Sequence, residues 1–374
     1  MKKVLLTATV QSHICQFHKP LAALLRANGY EVHVAARNNL AEKNGLKLDF
    51  VDKVFDVPFA RSPKSPDNIK AYKMLKDIID NGDYSIIHCN TPMGGFVTRL
   101  AARRARKKGT TVIYTAHGFH FYKGSSKASW AVIYPIEKFF TRFTDKLITI
   151  NREDYKLAKE RFTKTNVYYM HGVGVDENRY VPSTEEERKQ LREKYGYSND
   201  QKLILIIGEL LPNKNQQMAI RMMPKVIKEY PDAMLLIAGN GPEKENLESL
   251  INELNLQNNV KLLGYCTYLQ EYQKMIDLSV ACSKREGLPL NIVESMLAEN
   301  PIVASKNRGH CELIEDGKTG YLVDVDDVDA MAEKVLYLFN NEDKYSEMKS
   351  NCRSFALQYG FKNVTEELRK IYGL

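Results

Sequence analysis

Apolar residues along this chain gather in short continuous runs, each followed by a longer stretch where they recur at helical spacing. Short apolar runs bounded by turn residues read as buried strands, and recurrence every three to four residues reads as one face of a helix. In the first half the pattern predicts strands at residues 3–8, 31–35, 53–57, 84–88, 111–115 and 146–150. Helices are expected at 20–28, 68–80 and 95–107, and a long aromatic helical segment precedes the last of these strands. Gly29 stands where the first helix should stop, in a left-handed position that costs little only for glycine. The rhythm breaks at Gly172-Val173-Gly174-Val175-Asp176, and a charged helix over 184–195 follows. It then restarts, with strands at 203–207, 233–238, 260–263, 278–282, 301–304 and 320–323 and helices at 216–229 and 243–254. Residues 345–374 read as helical, broken near Tyr359-Gly360.

Strands alternating with helices mean parallel sheets covered on both faces. The expected fold class is therefore α/β, with two Rossmann-like domains. Residues 1–175 form the first, joined by a returning helix over about 358–374, and residues 176–357 form the second. Ligands of open parallel sheets bind beyond the carboxyl ends of the strands. Two such sheets facing each other would place a site in the cleft between them.

Composition narrows the class. The 374 residues are 44% hydrophobic and 27% charged, which is globular rather than disordered. No run approaches the roughly 18 apolar residues of a membrane span, and the opening residues read as a strand rather than a signal peptide. A cytoplasmic protein is expected. Six scattered cysteines without a C-x-x-C read as reduced thiols, and no Cys/His cluster shows zinc spacing. Charge is uneven: residues 1–175 hold 29 Lys and Arg against 14 Asp and Glu, and the remainder hold 25 against 32. A basic first half suggests an anionic partner.

The richest chemistry lies in residues 282–298. A strand ends at Cys282, a turn carries Glu286 and Gly287, and Pro289 suits the first turn of a helix. The backbone N–H groups of Leu290 and Asn291 would then sit at a helix amino terminus, which favours a diphosphate. Glu286 before the helix and Glu294 within it could reach opposite ends of such a ligand. Solvated glutamates on an exposed helix are the plainer alternative.

The pair Glu286 and Glu294, followed by Ala298-Glu-Asn-Pro301-Ile-Val-Ala304-Ser305, resembles the signature of retaining glycosyltransferases of the GT-B fold, family 4 (group 1). Gly208-Glu-Leu-Leu-Pro-Asn-Lys214-Asn215, the strand ends at Gly239 and Gly264, and Gly309-His-Cys-Glu312 resemble other segments of that family. Thr115-Ala116-His117-Gly118-Phe119-His120 is similar to its bacterial exopolysaccharide and capsule branch. The resemblance implies that Glu286 holds donor-sugar hydroxyls, Glu294 the ribose, and Lys214 the diphosphate, with His117 on the donor sugar. It places Gly208, Asn215, Gly239, Gly264, Arg285, Gly287, Leu288, Pro289, Leu290 and Asn291 around the donor. His13, His18, Asn90, Gly94 and His120 would line the acceptor region. Where the family usually has Arg beside Gly208, this chain has Glu209, so one diphosphate cation is missing. Lys284 or Arg285 could supply it.

The implied activity is transfer of a hexose or N-acetylhexosamine from a nucleotide sugar, UDP-linked by expectation, to a polyprenyl diphosphate-linked glycan in surface polysaccharide synthesis. No cofactor or metal is required on this reading. Asp324-Val-Asp326-Asp327 could bind a metal in another fold but here reads as a helix cap. No phosphate-binding glycine motif of oxidoreductases or P-loop enzymes is present, and no nucleic-acid motif is found. Arg99, Arg103, Arg104, Arg106, Lys107 and Lys108, with Lys127, Lys138, Arg142 and Lys146 around Trp130, Ile133, Tyr134, Phe139, Phe140 and Phe143, suit an anionic membrane surface. Equally, these aromatics could be a core face with solvated charges behind it. An epimerase or phosphorylase of the same fold, or a non-catalytic glycan- or nucleic-acid-binding protein, remain the alternatives.

Overall fold

A computed structural model describes residues 1–42 and 45–374. The chain divides into two compact units, Met1–Gly174 with Phe361–Leu374, and Val175–Gly360. Residue 175 and residues 358–360 thus fall with the second unit, a shift of a few residues from the expected boundaries.

The first unit is a seven-stranded sheet in the order β3-β2-β1-β4-β5-β6-β7. Its strands are β1 (Lys2–Val10), β2 (Tyr30–Arg37), β3 (Lys53–Asp56), β4 (Tyr84–Asn90), β5 (Thr111–Ala116), β6 (Lys146–Thr149) and β7 (Asn166–Tyr169). Every pairing is parallel. The edge strand β7 was not expected from sequence, because Asn-Val-Tyr-Tyr is too short and too polar at its start to stand out. Val4, Leu5 and Leu6 in β1 are fully buried, as a central strand covered on both faces requires. Gly29 ends the helix Lys19–Ala27 with φ of +77°, the backbone that glycine was expected to supply. A short helix, Gln11–Phe17, follows β1 directly where no element was expected. The terminal helix Phe361–Tyr372 belongs to this unit and buries Val364, Leu368, Ile371 and Tyr372.

The second unit repeats the plan with six strands in the order β10-β9-β8-β11-β12-β13. They are β8 (Leu203–Ile207), β9 (Met234–Ala238), β10 (Val260–Gly264), β11 (Leu278–Ala281), β12 (Ile302–Ser305) and β13 (Gly320–Val323), all parallel. The strand order reverses between β1 and β4 in one sheet and between β8 and β11 in the other. In open α/β sheets that reversal leaves a crevice at the carboxyl ends where ligands bind. Both clusters of candidate residues lie there.

The aromatic segment forms a wide helical turn, Ser129–Ile133, running into the helix Tyr134–Phe140. Trp130, Ile133 and Tyr134 pack against buried Phe121 and Phe162, so this part is core. Val132, Ile136 and Phe139 are 57%, 41% and 49% exposed and form an apolar surface. The basic run needs correction at three places. Arg99 is fully buried, paired with Glu137 at 3.0 Å and stacked 4.0 Å from the Tyr114 ring centre. Arg106 pairs with Asp145, and the Lys146 ammonium donates to the Ile371 carbonyl. Arg103, Arg104, Lys107 and Lys108 remain exposed.

Candidate functional site

In the second unit the strand ends are knitted together before any side chain is added. Gly239 donates its N–H to Gly264 O at 2.8 Å, and Gly208 donates to Ala238 O at 3.0 Å. A Cβ on Gly239 would lie 1.9 Å from the Gly208 carbonyl oxygen, so only glycine allows the two chains this close. Gln216 Nε2 donates to the Glu209 carbonyl at 3.1 Å and holds the loop after β8.

That loop carries Lys214, whose ammonium lies 2.6 Å from Glu286 Oε1. Glu286 comes from the turn after β11, across the point of strand reversal. The backbone closes the pair further: Lys284 N–H donates to Asn213 O at 2.8 Å. Gly309 packs so tightly under Glu286 that a Cβ there would meet the glutamate Cβ at 2.7 Å. His310 lines the same pocket as Lys214, Gln216, Glu286 and Asn291. Its Nδ1–H donates to the Ser305 carbonyl at 2.7 Å, and burial pushes its pKa down to about 4. It is therefore a neutral imidazole with its lone pair on Nε2 at neutral pH. Sequence reasoning gave His310 no role, although it lies in a segment that carried the resemblance.

The helix over this pocket spans Leu290–Leu297. Pro289 is its N-cap, in extended conformation, rather than part of the first turn as expected. The first N–H groups of a helix have no partner within it, and those of Leu290 and Asn291 stand in that position. The side chains do other work. Asn291 Nδ2 donates to Ile207 O at 3.0 Å, while Leu288 and Leu290 pack on the core. Gly287 completes the turn between Glu286 and this helix. Glu294 sits a turn into the helix. Burial pushes its carboxyl up to about 7, against the opposing pull of a hydrogen bond from Tyr180 and the charge of Arg179. Tyr180 and Arg179 were not found from sequence.

Two candidates turn elsewhere. Asn215 is buried, and its amide donates to Asp326 at 2.9 Å, so its side chain braces the loop. Lys284 also pairs with Asp326, at 3.2 Å, whereas Arg285 is exposed. The acidic turn is a brace and a cap: Asp327 Oδ1 accepts from Ala330 N at 2.9 Å at the start of a helix, and Asp324 lies 3.4 Å from Lys306.

In the first unit, His13, His18, Asn90 and His117 converge at the ends of β1, β4 and β5. His13 Nε2 lies 3.3 Å from His117 Nε2, which is 3.1 Å from Asn90 Oδ1. Asn90 Nδ2 donates to Thr7 O at 3.3 Å and so aims its oxygen at His117. His18 is fully buried beside them. Burial above all, and then the neighbouring imidazoles, holds His13 and His18 well below the usual histidine value, and burial alone puts His117 at about 4. The rings are thus neutral at physiological pH. His88 lies behind them, bonded to Tyr372 OH at 2.6 Å and Thr115 Oγ1 at 2.7 Å. Gly94 packs in the helix Pro92–Ala101 against the backbone of Ala8 and Thr9. His120 is exposed between the buried Phe119 and Phe121, so its side chain points away from the core side of that loop.

Two Rossmann-like units, each with polar side chains at its strand-order reversal, define a GT-B protein. The sequence pattern of the glycosyl transferases group 1 matches residues 187–355, and that of glycosyltransferase family 4 matches residues 20–176. The chain is 39% identical over 372 residues to a Bacillus subtilis (strain 168) protein named as a glycosyltransferase, EpsD, covering 99% of this chain and 96% of that one. It is 26% identical over 347 residues to the UDP-Gal:alpha-D-GlcNAc-diphosphoundecaprenol alpha-1,3-galactosyltransferase of Escherichia coli, covering 90% and 88%. Among solved structures, Anabaena Alr3699/HepE in complex with UDP superposes with a TM-score of 0.79 at 22% identity, with both chains fully covered. The chain belongs to glycosyltransferase family 4, the group 1 glycosyl transferases.

Proposed function

We propose that this glycosyltransferase is retaining and moves a hexose or N-acetylhexosamine from a UDP-sugar to a lipid-linked glycan during surface polysaccharide synthesis. The Lys214–Glu286 pair, beside the amino end of the helix that bears Glu294, carries the reading. Departure of the nucleotide diphosphate develops negative charge on phosphate oxygens. Lys214 and the helix N–H groups stabilise that charge where it forms. Glu286 accepts hydrogen bonds from sugar hydroxyls, and Glu294 accepts them from the ribose. The bond between the anomeric carbon and the phosphate oxygen breaks on the face where the acceptor oxygen bonds. The acceptor proton passes to the departing phosphate oxygen, so positioning replaces a separate base.

The UDP complex of the Anabaena protein and the donor named for the Escherichia coli enzyme support UDP. That enzyme's undecaprenol diphosphate acceptor supports a lipid-linked substrate here. We assign the acceptor to His13, His18 and Asn90, and His117 to the donor sugar. The exposed Val132, Ile136 and Phe139, near basic Lys138 and Arg142, would rest on the anionic inner face of the cell membrane. No described helix is long and apolar enough to cross a membrane.

Thermal-shift screening against UDP-, GDP- and ADP-sugars should raise Tm with UDP donors, because a bound ligand stabilises by mass action. Transfer to a polyprenyl diphosphate-linked sugar should then give the donor's own anomeric configuration by NMR. An inverted product overturns retention. Donor turnover without acceptor points to the epimerase reading instead.

A further inference from the structure

Three histidines far apart in sequence meet in the first unit. One ring nitrogen from each of His13, His18 and His117 lies within 4.8 Å of the other two. We propose that these three imidazoles form a site for a single divalent transition-metal ion of the zinc class.

A tetrahedral zinc with bonds of about 2.0–2.1 Å sets its nitrogens roughly 3.3 Å apart. The His13 and His117 Nε2 atoms already stand at 3.3 Å. His18 closes the triangle by a movement of the order of an ångström. Its position between the helices Gln11–Phe17 and Lys19–Ala27 leaves it at a junction rather than inside an element.

His18 supplies an independent observation. It is 4% exposed, and its Nε2 has no hydrogen-bond partner. A buried polar atom left unpaired is costly, and a metal bond removes that cost. The ligand chemistry selects the ion. Three neutral imidazoles without a carboxylate suit zinc, nickel or copper, and not magnesium or calcium, which take oxygen. Three protein ligands leave a fourth position for water. Asn90 Oδ1 accepts the His117 Nε2–H at 3.1 Å, a proton that a metal on that nitrogen would displace. On the acceptor assignment above, metal and sugar would compete for the same nitrogens.

The test uses the full chain stripped by chelator, with no donor or acceptor, so its outcome is separate from that of the transfer assay. Zinc uptake is measured by competition with a chromophoric chelator, and cobalt by its visible bands. We expect saturable uptake of a single equivalent and the spectrum of four-coordinate cobalt. His13→Gln and His18→Gln should each weaken uptake at least tenfold, with circular dichroism confirming the fold. If His18→Gln does not fold, His13→Gln at the partly exposed position decides. Absence of saturable uptake by the unmodified chain overturns the site. So does uptake unchanged in a folded His13→Gln protein, which would place the metal elsewhere.

Discussion

Lys214 and Glu286 stand 2.6 Å apart, and each reaches the other from a different strand end. The acid therefore aims the ammonium as well as offering oxygens of its own. Glu286→Ala should abolish transfer yet keep UDP binding, since Lys214 is then freed toward the phosphates. Calorimetry with UDP beside a transfer assay separates the two. Undiminished turnover would refute the role. Lys214→Ala should cost about 2–4 kcal/mol of transition-state stabilisation, as removal of an oxyanion donor does. An unchanged kcat/KM would remove Lys214 from the site.

Gly309→Ala should reach the same site by steric means. The new Cβ would stand 2.7 Å from the Glu286 Cβ and 2.9 Å from its backbone carbon. Backbone cannot yield as a side-chain tip does, so Glu286 must move. A loss of kcat/KM of more than about tenfold is expected, as misplacement of a positioning group produces. Full activity would show that Glu286 tolerates displacement.

If Glu294 holds the ribose as proposed, its carboxyl, raised to about 7, should make nucleotide binding depend on pH. The ionised form accepts from both ribose hydroxyls, whereas the protonated form gives up part of that capacity. UDP affinity should therefore rise as pH climbs through 7, and calorimetry at pH 6, 7 and 8 reads the slope. Folding runs the other way. Between the unfolded value of about 4.5 and 7 the native state holds the extra proton, so stability falls as pH rises across that window. Glu294→Gln should flatten the binding profile and raise Tm at pH 8. A pH-independent affinity in the unmodified protein would count against Glu294 as the ribose ligand.

Arg99 should behave as core, not as surface. Cutting it to Ala leaves Glu137 buried without its partner, a loss of about 3–5 kcal/mol. Arg103→Ala, at an exposed position, should change Tm little. Equal melting temperatures for the two variants would contradict the buried pair.

Vesicle flotation tests the apolar surface. Binding to anionic liposomes should weaken with salt and fall in a Val132→Ser/Phe139→Ser double variant. Binding that ignores salt, or none at all, would remove the membrane from the account.

Much of this was legible in sequence because strands and helices carry different apolar periods. Glu286 stood out in the turn after a strand end, while the roles expected of Lys214, Glu286 and Glu294 came from the resemblance to the glycosyltransferase family. Arg99 was misread because its neighbours in sequence are basic and exposed. Only the fold shows that it turns inward, where Gly95 leaves room beside the Tyr114 ring. The histidine cluster was hidden for a different reason. Residues 13 and 117 meet only because β1 and β5 flank β4, and spacing along the chain does not record sheet order. Tyr180 and Arg179 were missed because they precede the whole second sheet, far in sequence from the helix that bears their partner Glu294.

The buried His88 has Tyr372, which follows the second unit in sequence, as a hydroxyl partner. Ribosomes deliver the rest of the amino-terminal lobe early, yet that residue emerges only after the whole second unit. The half translated first is thus the half whose assembly is completed last. A nascent chain stalled before residue 361 should hold it open, with the imidazole of His88 still waiting for its phenol.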